Sequence, residues 1–271
     1  MSEGAYAWCG QPLREHLDGV AQIVALDAEA LGRAAAQTRG VFGCELNVDV
    51  LRREVLSSAT RLARALGVEP REAHALLSVA AYLHDVGKAA AAYQERLRSA
   101  SARDPARCPA QLRGHEVLSA WLAWHLMYEL LRTRGAAAED VVAAVAAGVA
   151  LHHSARRSID DVLDDAKSAV VEPRDVERLA EAARGVERYW PRGLGDALTF
   201  ALGRMKWEYL QTLDAAFLKL RARLLKPAAV WGELVAYAIM LADNLDAALG
   251  RGAERREAAR IVLKPLLRCE T

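Results

Sequence analysis

An adjacent His84-Asp85 pair, followed by Val86-Gly87-Lys88, closes an apolar run of the chain. Four more histidines and one more aspartate accompany it at distant positions: His16, His115, the adjacent His152-His153, and Asp243. Burying an imidazole or a carboxylate is costly unless something pairs with it. A lone example finds a backbone carbonyl or an arginine. Seven such residues on the apolar faces of separate segments point instead to one shared cationic guest, a metal centre. Five histidines and two aspartates exceed the four protein ligands that one ion takes, so two ions are the natural solution. A carboxylate has two oxygens and can bridge ions about 3.5–4 Å apart, the separation used in two-metal phosphoryl chemistry. Asp85, beside His84, is the candidate bridge. Ligation rich in histidine favours Mn, Ni, Co, Fe or Zn over Mg, which prefers oxygen and water. Such a pair of ions supplies a water nucleophile for in-line attack on phosphorus. Lys88 joins Asp85 as a candidate catalytic residue, holding a phosphate oxygen or orienting Asp85; a plain ion pair with Asp85 is its structural alternative.

Other titratable residues are set aside. His74 precedes Asp85 by eleven positions, about 16 Å along a helix and too far for one centre. His125 lies toward the edge of its apolar stripe with no acidic neighbour, and structural roles are expected for both. Asp246, on roughly the same side of its helix as Asp243, is the substitute ligand if Asp243 is not one. Gly87-Lys88-Ala89 lacks the glycine spacing and hydroxyl of a phosphate-binding loop, and no Ser-His-Asp arrangement or dinucleotide fingerprint competes.

These residues must be positioned by helices, because nearly the whole chain reads at helical period. Leu13, His16, Leu17, Val20 and Val24 share one face of a first helix; Gly40 to Asn47 breaks the pattern, and Val50 to Leu66 resumes it. Pro70 sits where a first-turn proline belongs, opening a helix expected to carry His84 and Asp85 on one inward flank, with Lys88 between them at 100° per residue. A loop is expected from Ser99 to Gly114, a long helix from there to about Arg132, and another from about Ala137 to His153. The acidic stretch from Ser154 to Pro173 reads as irregular, and Trp190 to Gly193 as a break. Helices then cover Asp196 to Leu225, Ala229 to Leu249 and Glu254 to Leu267. The segment around Asp243 is apolar nearly all round, the mark of a central buried helix. No strand pattern competes, so the expectation is one all-α domain over residues 1–271.

Composition bounds the rest. The 53% of hydrophobic and 26% of charged residues are the mix of a soluble globular chain, and a net charge of +1 gives no global field for nucleic acid. Cys9, Cys44, Cys108 and Cys269 are dispersed without C-x-x-C, which predicts reduced thiols in a cytoplasm. Met-Ser-Glu-Gly does not open a signal peptide, and the apolar run Val141 to Leu151 is too short to cross a bilayer. A cytoplasmic protein with no membrane partner is expected.

The order His16, His84-Asp85, His115, His152-His153, Asp243 resembles the HD phosphohydrolase superfamily. More narrowly, Glu15-His16, His84-Asp85-Val86-Gly87-Lys88, Gly114-His115-Glu116-Val117-Leu118-Ser119, His152-His153-Ser154 and Leu241-Ala242-Asp243 resemble the HD nuclease of type I CRISPR interference. The resemblance implies an all-helical HD fold and a metal-dependent nuclease for single-stranded DNA. It implies that His16, His84, Asp85 and Asp243 hold one metal, and Asp85, His115, His152 and His153 the other. The helicase domains usually fused to this nuclease are absent, so the resemblance is to the stand-alone subunit, working with a separately encoded helicase and an RNA-guided effector complex. Three readings compete: a nucleotide phosphohydrolase, a cyclic-nucleotide phosphodiesterase, and a non-catalytic, metal-stabilised docking subunit of the effector complex. After His115-Glu116 the chain lacks the Gly-Tyr-Pro element of cyclic-dinucleotide enzymes. For the DNA path, Arg204, Lys206, Trp207 and Tyr209, continuing to Lys219, Arg221 and Arg223, mix cations with aromatics as single-strand channels do. So does a strip from Arg251, Arg255 and Arg256 to Arg260, Lys264 and Arg268. A solvated helix face is the structural alternative for both.

Overall fold

The computed structural model describes residues 5–103, 108, 112–132, 136–153, 159–166, 172–190, 193–211, 213–250 and 259–269. Two helices precede the first glycine break: α1 (Leu13–Val24) and α2 (Ala28–Phe42), separated at Leu26, whose φ is 60°. Asp27 caps α2 by accepting from the Ala30 N–H at 2.8 Å, and Asn47 caps α3 (Val48–Leu66) through the Val50 N–H at 3.3 Å. Gly43 and Gly67 end these helices at positive φ, the conformation that suits glycine after a last turn. α4 (Pro70–Leu83) opens on its proline as expected. α5 (Ala91–Arg103) runs past Ser99, where a loop was expected to begin.

The centre of the molecule is built by α6 (His115–Leu131), α7 (Ala136–Leu151) and α12 (Gly232–Gly250). α7 packs between the other two, with α1, α3 and α4 closing around α12. Gly148 and Gly232 let α7 and α12 approach closely: a Cβ on Gly232 would lie 2.7 Å from the Ala147 Cβ. The segment Pro227–Gly250 is long and apolar enough to cross a membrane by length and composition. Its apolar character follows from its place against α7, α1 and α3, where Val235, Ile239, Ala242 and Leu245 are fully buried.

Two expectations need correction. The acidic stretch after Ser154 is not irregular throughout, because α8 (Ile159–Ala166) forms there, followed by α9 (Pro173–Ala183). Val162 and Leu163 are buried, and Asp160 and Asp161 in the first turn suit the helix dipole. The fold is mostly helical, as expected, and among the described residues it also carries four short strands. β1 (Tyr6–Trp8) pairs antiparallel with β2 (Gln11–Pro12), and β3 (Glu45–Leu46) with β4 (Leu267–Arg268). Two- and three-residue strands are too short to show an alternation in sequence. Finally, the four cysteines are not free thiols: Cys9 bonds Cys108 and Cys44 bonds Cys269, across 99 and 225 residues. Each bond fastens one of the strand ribbons, and spacing along the chain carries no trace of either pair. α10 (Leu194–Gln211) and α11 (Leu213–Leu224) complete the outer layer. Residues 259–263 are helical and lead through a tight turn, Lys264–Leu266, to β4.

Candidate metal centre

α4 stops at Leu83, so His84 caps it and Asp85 falls outside it, at φ −112° and ψ 5°. Residues Val86–Ala89 then form a tight 3-10 turn. The inward flank expected from a continuous α-helix through Lys88 is therefore replaced by a turn, and Gly87 explains it. Its N–H donates to Ser119 Oγ at 2.8 Å, and a Cβ there would drive into the His115 carbonyl of α6. This close approach presses the turn onto α6 and buries Asp85 completely.

Asp85 presents its two oxygens to different partners. Oδ2 lies 3.1 Å from His16 Nε2 and 3.4 Å from His84 Nε2. Oδ1 lies 2.8 Å from His115 Nε2 and 3.4 Å from His152 Nε2. Asp243, from α12, reaches the first group with Oδ1 at 3.3 Å from His16 Nε2 and 3.9 Å from His84 Nε2. His153 stands at the edge, with Nδ1 4.0 Å from Asp243 Oδ2 and its side chain 36% exposed. The structure thus brings together all seven residues singled out in the sequence, in two groups sharing Asp85. His16, His84, Asp85 and Asp243 form one; Asp85, His115, His152 and His153 form the other, each with donor atoms within 4.8 Å of one another.

The donor set fits metal ions. Nδ1 of His84 donates to the Ala81 carbonyl at 2.6 Å, that of His152 to the Val149 carbonyl at 2.7 Å, and that of His115 to the Leu112 carbonyl. A carbonyl only accepts, so these bonds place the proton on Nδ1 and aim the Nε2 lone pair inward, as outer partners of metal-bound histidines do. Three of those inward atoms, with Asp85 Oδ1, are buried without a hydrogen bond. Two ligand atoms each about 2.1 Å from one ion stand roughly 3.0–3.4 Å apart, which most of the separations above approach.

Electrostatics agree. Burial opposes protonation of His16, but Asp243, Asp246 and Asp85 outweigh it and push its pKa up to about 10. Burial likewise opposes ionisation of Asp85, yet Lys88, His84 and His115 hold its carboxyl well below the usual range. His16 and His84 do the same for Asp243. Burial, with His84 and His115 nearby, holds His152 down and neutral. The carboxylates that retain a proton on His16 are the groups that would hold a cation in its place.

Lys88 is buried and its Nζ donates to Asp85 Oδ2, the ion-pair arrangement. Asp246 is not in either group. Its Oδ2 accepts from His16 Nδ1 at 2.7 Å and from Gln11 Nε2 at 3.0 Å, so it orients His16 from behind. Gly19 makes room for it: a Cβ there would be 3.1 Å from Asp246 Cγ. A glycine three residues after His16 within α1 is the sequence signal for this support. His74 bonds the Val24 carbonyl at 2.8 Å, and His125 bonds Glu208, a carboxylate 83 residues away, at 3.0 Å.

The basic and aromatic residues named for a DNA path lie on α10 and α11. Arg204, Lys206 and Trp207 are exposed. Lys206 bonds Glu177 at 2.8 Å, Trp207 stacks under Lys219 at 5.1 Å, and Arg221 bonds Asp160 at 2.6 Å. Of the second strip, Arg251, Arg255 and Arg256 lie outside the described residues.

Residues 45–243 match the family model described as Cas3, HD domain. His16 precedes that segment and Asp243 ends it. No curated protein matches the chain. Among solved structures, the CRISPR-associated Cas3 HD domain protein of Methanocaldococcus jannaschii is similar, with 19% identity and a TM-score of 0.41, over 82% of this chain and 96% of that one.

Proposed function

Since this chain belongs to the Cas3 HD-domain family, with 45–243 of its 271 residues matched, we propose that it is a metal-dependent nuclease hydrolysing phosphodiester bonds of single-stranded DNA. In this reading it serves type I CRISPR interference beside a separately encoded helicase and an RNA-guided complex. The observation that carries the reading is the division of Asp85, one oxygen toward each histidine group. Two divalent transition-metal ions bound there would supply an activated water and neutralise charge on phosphoryl oxygens. The residues do the rest. Asp85 and Asp243 provide anionic charge in a water-poor site, and the Nδ1 bonds of His16, His84, His115 and His152 fix those rings so that little reorganisation is needed. Lys88 holds Asp85 in place and acts as a positioning residue. His153, Asp243 and Asp246 form the exposed edge, with side chains 36%, 10% and 19% accessible, and a flexible strand enters such an edge more easily than a duplex.

The test is cleavage by the purified chain loaded with Mn or Ni. Single-stranded DNA should be cut faster than duplex, and His84→Ala should abolish cutting. Rapid hydrolysis of nucleoside phosphates with single-stranded DNA left intact would overturn the reading in favour of a nucleotide phosphohydrolase. Addition of a helicase and ATP should be required for duplex degradation.

Asp246 gives a second expectation. Asp246→Asn removes a carboxylate behind His16 without altering any member of either group, and loss of such an outer partner costs about 10- to 100-fold in metal affinity. Because His16 is protonated at neutral pH in the metal-free chain, metal uptake there must release that proton, and affinity should fall as pH is lowered. Metal titration of wild type and variant at two pH values reads both effects; equal affinities would show that Asp246 is only structural.

A further inference from the structure

Two clefts share Arg98 in their lining, and the larger opens on the side of α1 turned away from Asp246. The smaller, about 320 Å³, is lined by Tyr6 and Trp8 of β1 and by α5. The larger, about 730 Å³, runs between α1, the start of α5 and the turn after α9, over an apolar floor that includes Leu13 and Leu17. Arg14, Arg98, Arg178, Arg184 and Arg188 line it, against Glu181 and Glu187. Three of these arginines are already engaged: Arg178 with Asp175, Arg184 with Glu181 and Arg188 with Asp18. Arg14 and Arg98 are exposed on facing elements and bond no carboxylate among the described residues. At 100° per residue, Leu13, Arg14 and Leu17 occupy an arc roughly 60–160° from His16, whereas Gly19, which faces Asp246, lies at roughly 300°. The cleft therefore opens on a face of α1 turned away from Asp246 and beside the face from which His16 enters the metal centre.

Guanidinium groups that bond no carboxylate among the described residues, above an apolar floor continuing to a wall with two aromatic rings, are the components of a single-strand groove. Cations follow the phosphates and aromatic faces stack bases, without regard to sequence. The wall is fixed as well as aromatic. Gln94 accepts from the Tyr6 N–H at 2.8 Å and donates to the Tyr6 carbonyl at 2.9 Å, and Cys9 is bonded to Cys108. We propose that this groove is an exosite for the substrate strand, binding single-stranded DNA through residues that belong to neither metal group. The proposal rests on the nuclease reading for its choice of ligand. It assigns DNA holding to Arg14, Arg98, Tyr6 and Trp8, rather than to the largely paired cations of α10 and α11.

The experiment measures binding without catalysis. Chelator-treated full-length protein is titrated into a fluorescent oligo-dT of about 16 nucleotides, a length within the range of single-strand sites. Wild type should bind in a salt-dependent manner. Arg14→Ala/Arg98→Ala, which alters two exposed side chains, should bind on the order of tenfold more weakly, and its salt slope should fall by about 1.4 for two lost phosphate contacts. Circular dichroism establishes that the variant is folded. Absence of binding by wild type, or equal affinity and slope in the variant, would overturn the exosite. So would displacement of the oligonucleotide by poly-glutamate at equal charge, which would mark a peptide-docking groove. Failure of the nuclease reading is a separate result: intact single-stranded DNA after incubation with the metal-loaded wild type.

Discussion

Asp85→Asn is expected to leave the chain unable to retain either of two metal ions. The substitution keeps the volume of the side chain but removes the charge that both histidine groups share. No other residue takes part in both groups, so no other single change should have so large an effect. Loss of the metals removes several kcal/mol of transition-state stabilisation, and each 1.36 kcal/mol is tenfold in rate, so cleavage should fall on the order of a thousandfold or more. Lys88 complicates the experiment, because Asp85 is its partner and removing one member of a buried pair costs about 3–5 kcal/mol. The double variant Asp85→Asn/Lys88→Met removes that orphaned charge. Elemental analysis and helicity should be measured on both. A folded variant that still binds two ions would refute the bridging role of Asp85. His153→Ala, at the exposed edge, should by comparison lose metal only partly.

The second large effect is expected at Gly87, where stability and the site are changed together. A Cβ would lie 2.9 Å from the carbonyl carbon of His115 and 3.0 Å from Leu118 Cβ, with the His115 oxygen nearer still. The obstacle is the backbone of a helix whose first thirteen residues are buried, which cannot swing aside as a surface side chain does. Gly87→Ala should therefore destabilise the fold by about 3 kcal/mol, at the upper end for overpacking. By pushing α6 away it should also draw His115 from Asp85 and weaken the second metal group more than the first. Gly40 in α2 is the control, since a Cβ added there would meet nothing within 4 Å; Gly40→Ala should gain up to about 1 kcal/mol from helix propensity. Urea unfolding and metal content decide the matter. A Gly87→Ala protein as stable as wild type would show that the close approach of turn and α6 is not what sets Asp85.

The helices that carry the site were legible because their apolar residues recur at helical spacing and their ends carry local signals. Pro70, Gly67 and the apolar circumference of α12 each act within one or two turns of chain. The seven residues were legible for a different reason: histidines and carboxylates on buried faces are costly alone, so their number implied a shared partner. α8 was obscured because its four aspartates drew more notice than Val162 and Leu163, which are buried.

Composition and periodicity alone thus determined a mostly helical chain with polar residues aimed into its core, since those properties arise from near neighbours. Tertiary structure decided how the residues meet. Where α4 ends depends on Gly87 touching a helix some thirty residues later; which nitrogen of His16 faces inward depends on Asp246, 230 residues away. The two disulfides join positions 99 and 225 residues apart, and Arg14 shares a groove with Arg98 only because α1 and α5 are brought together. Each is a contact between elements distant in the chain, and the free energy that selects it comes from packing the whole core rather than from any local pattern of residues.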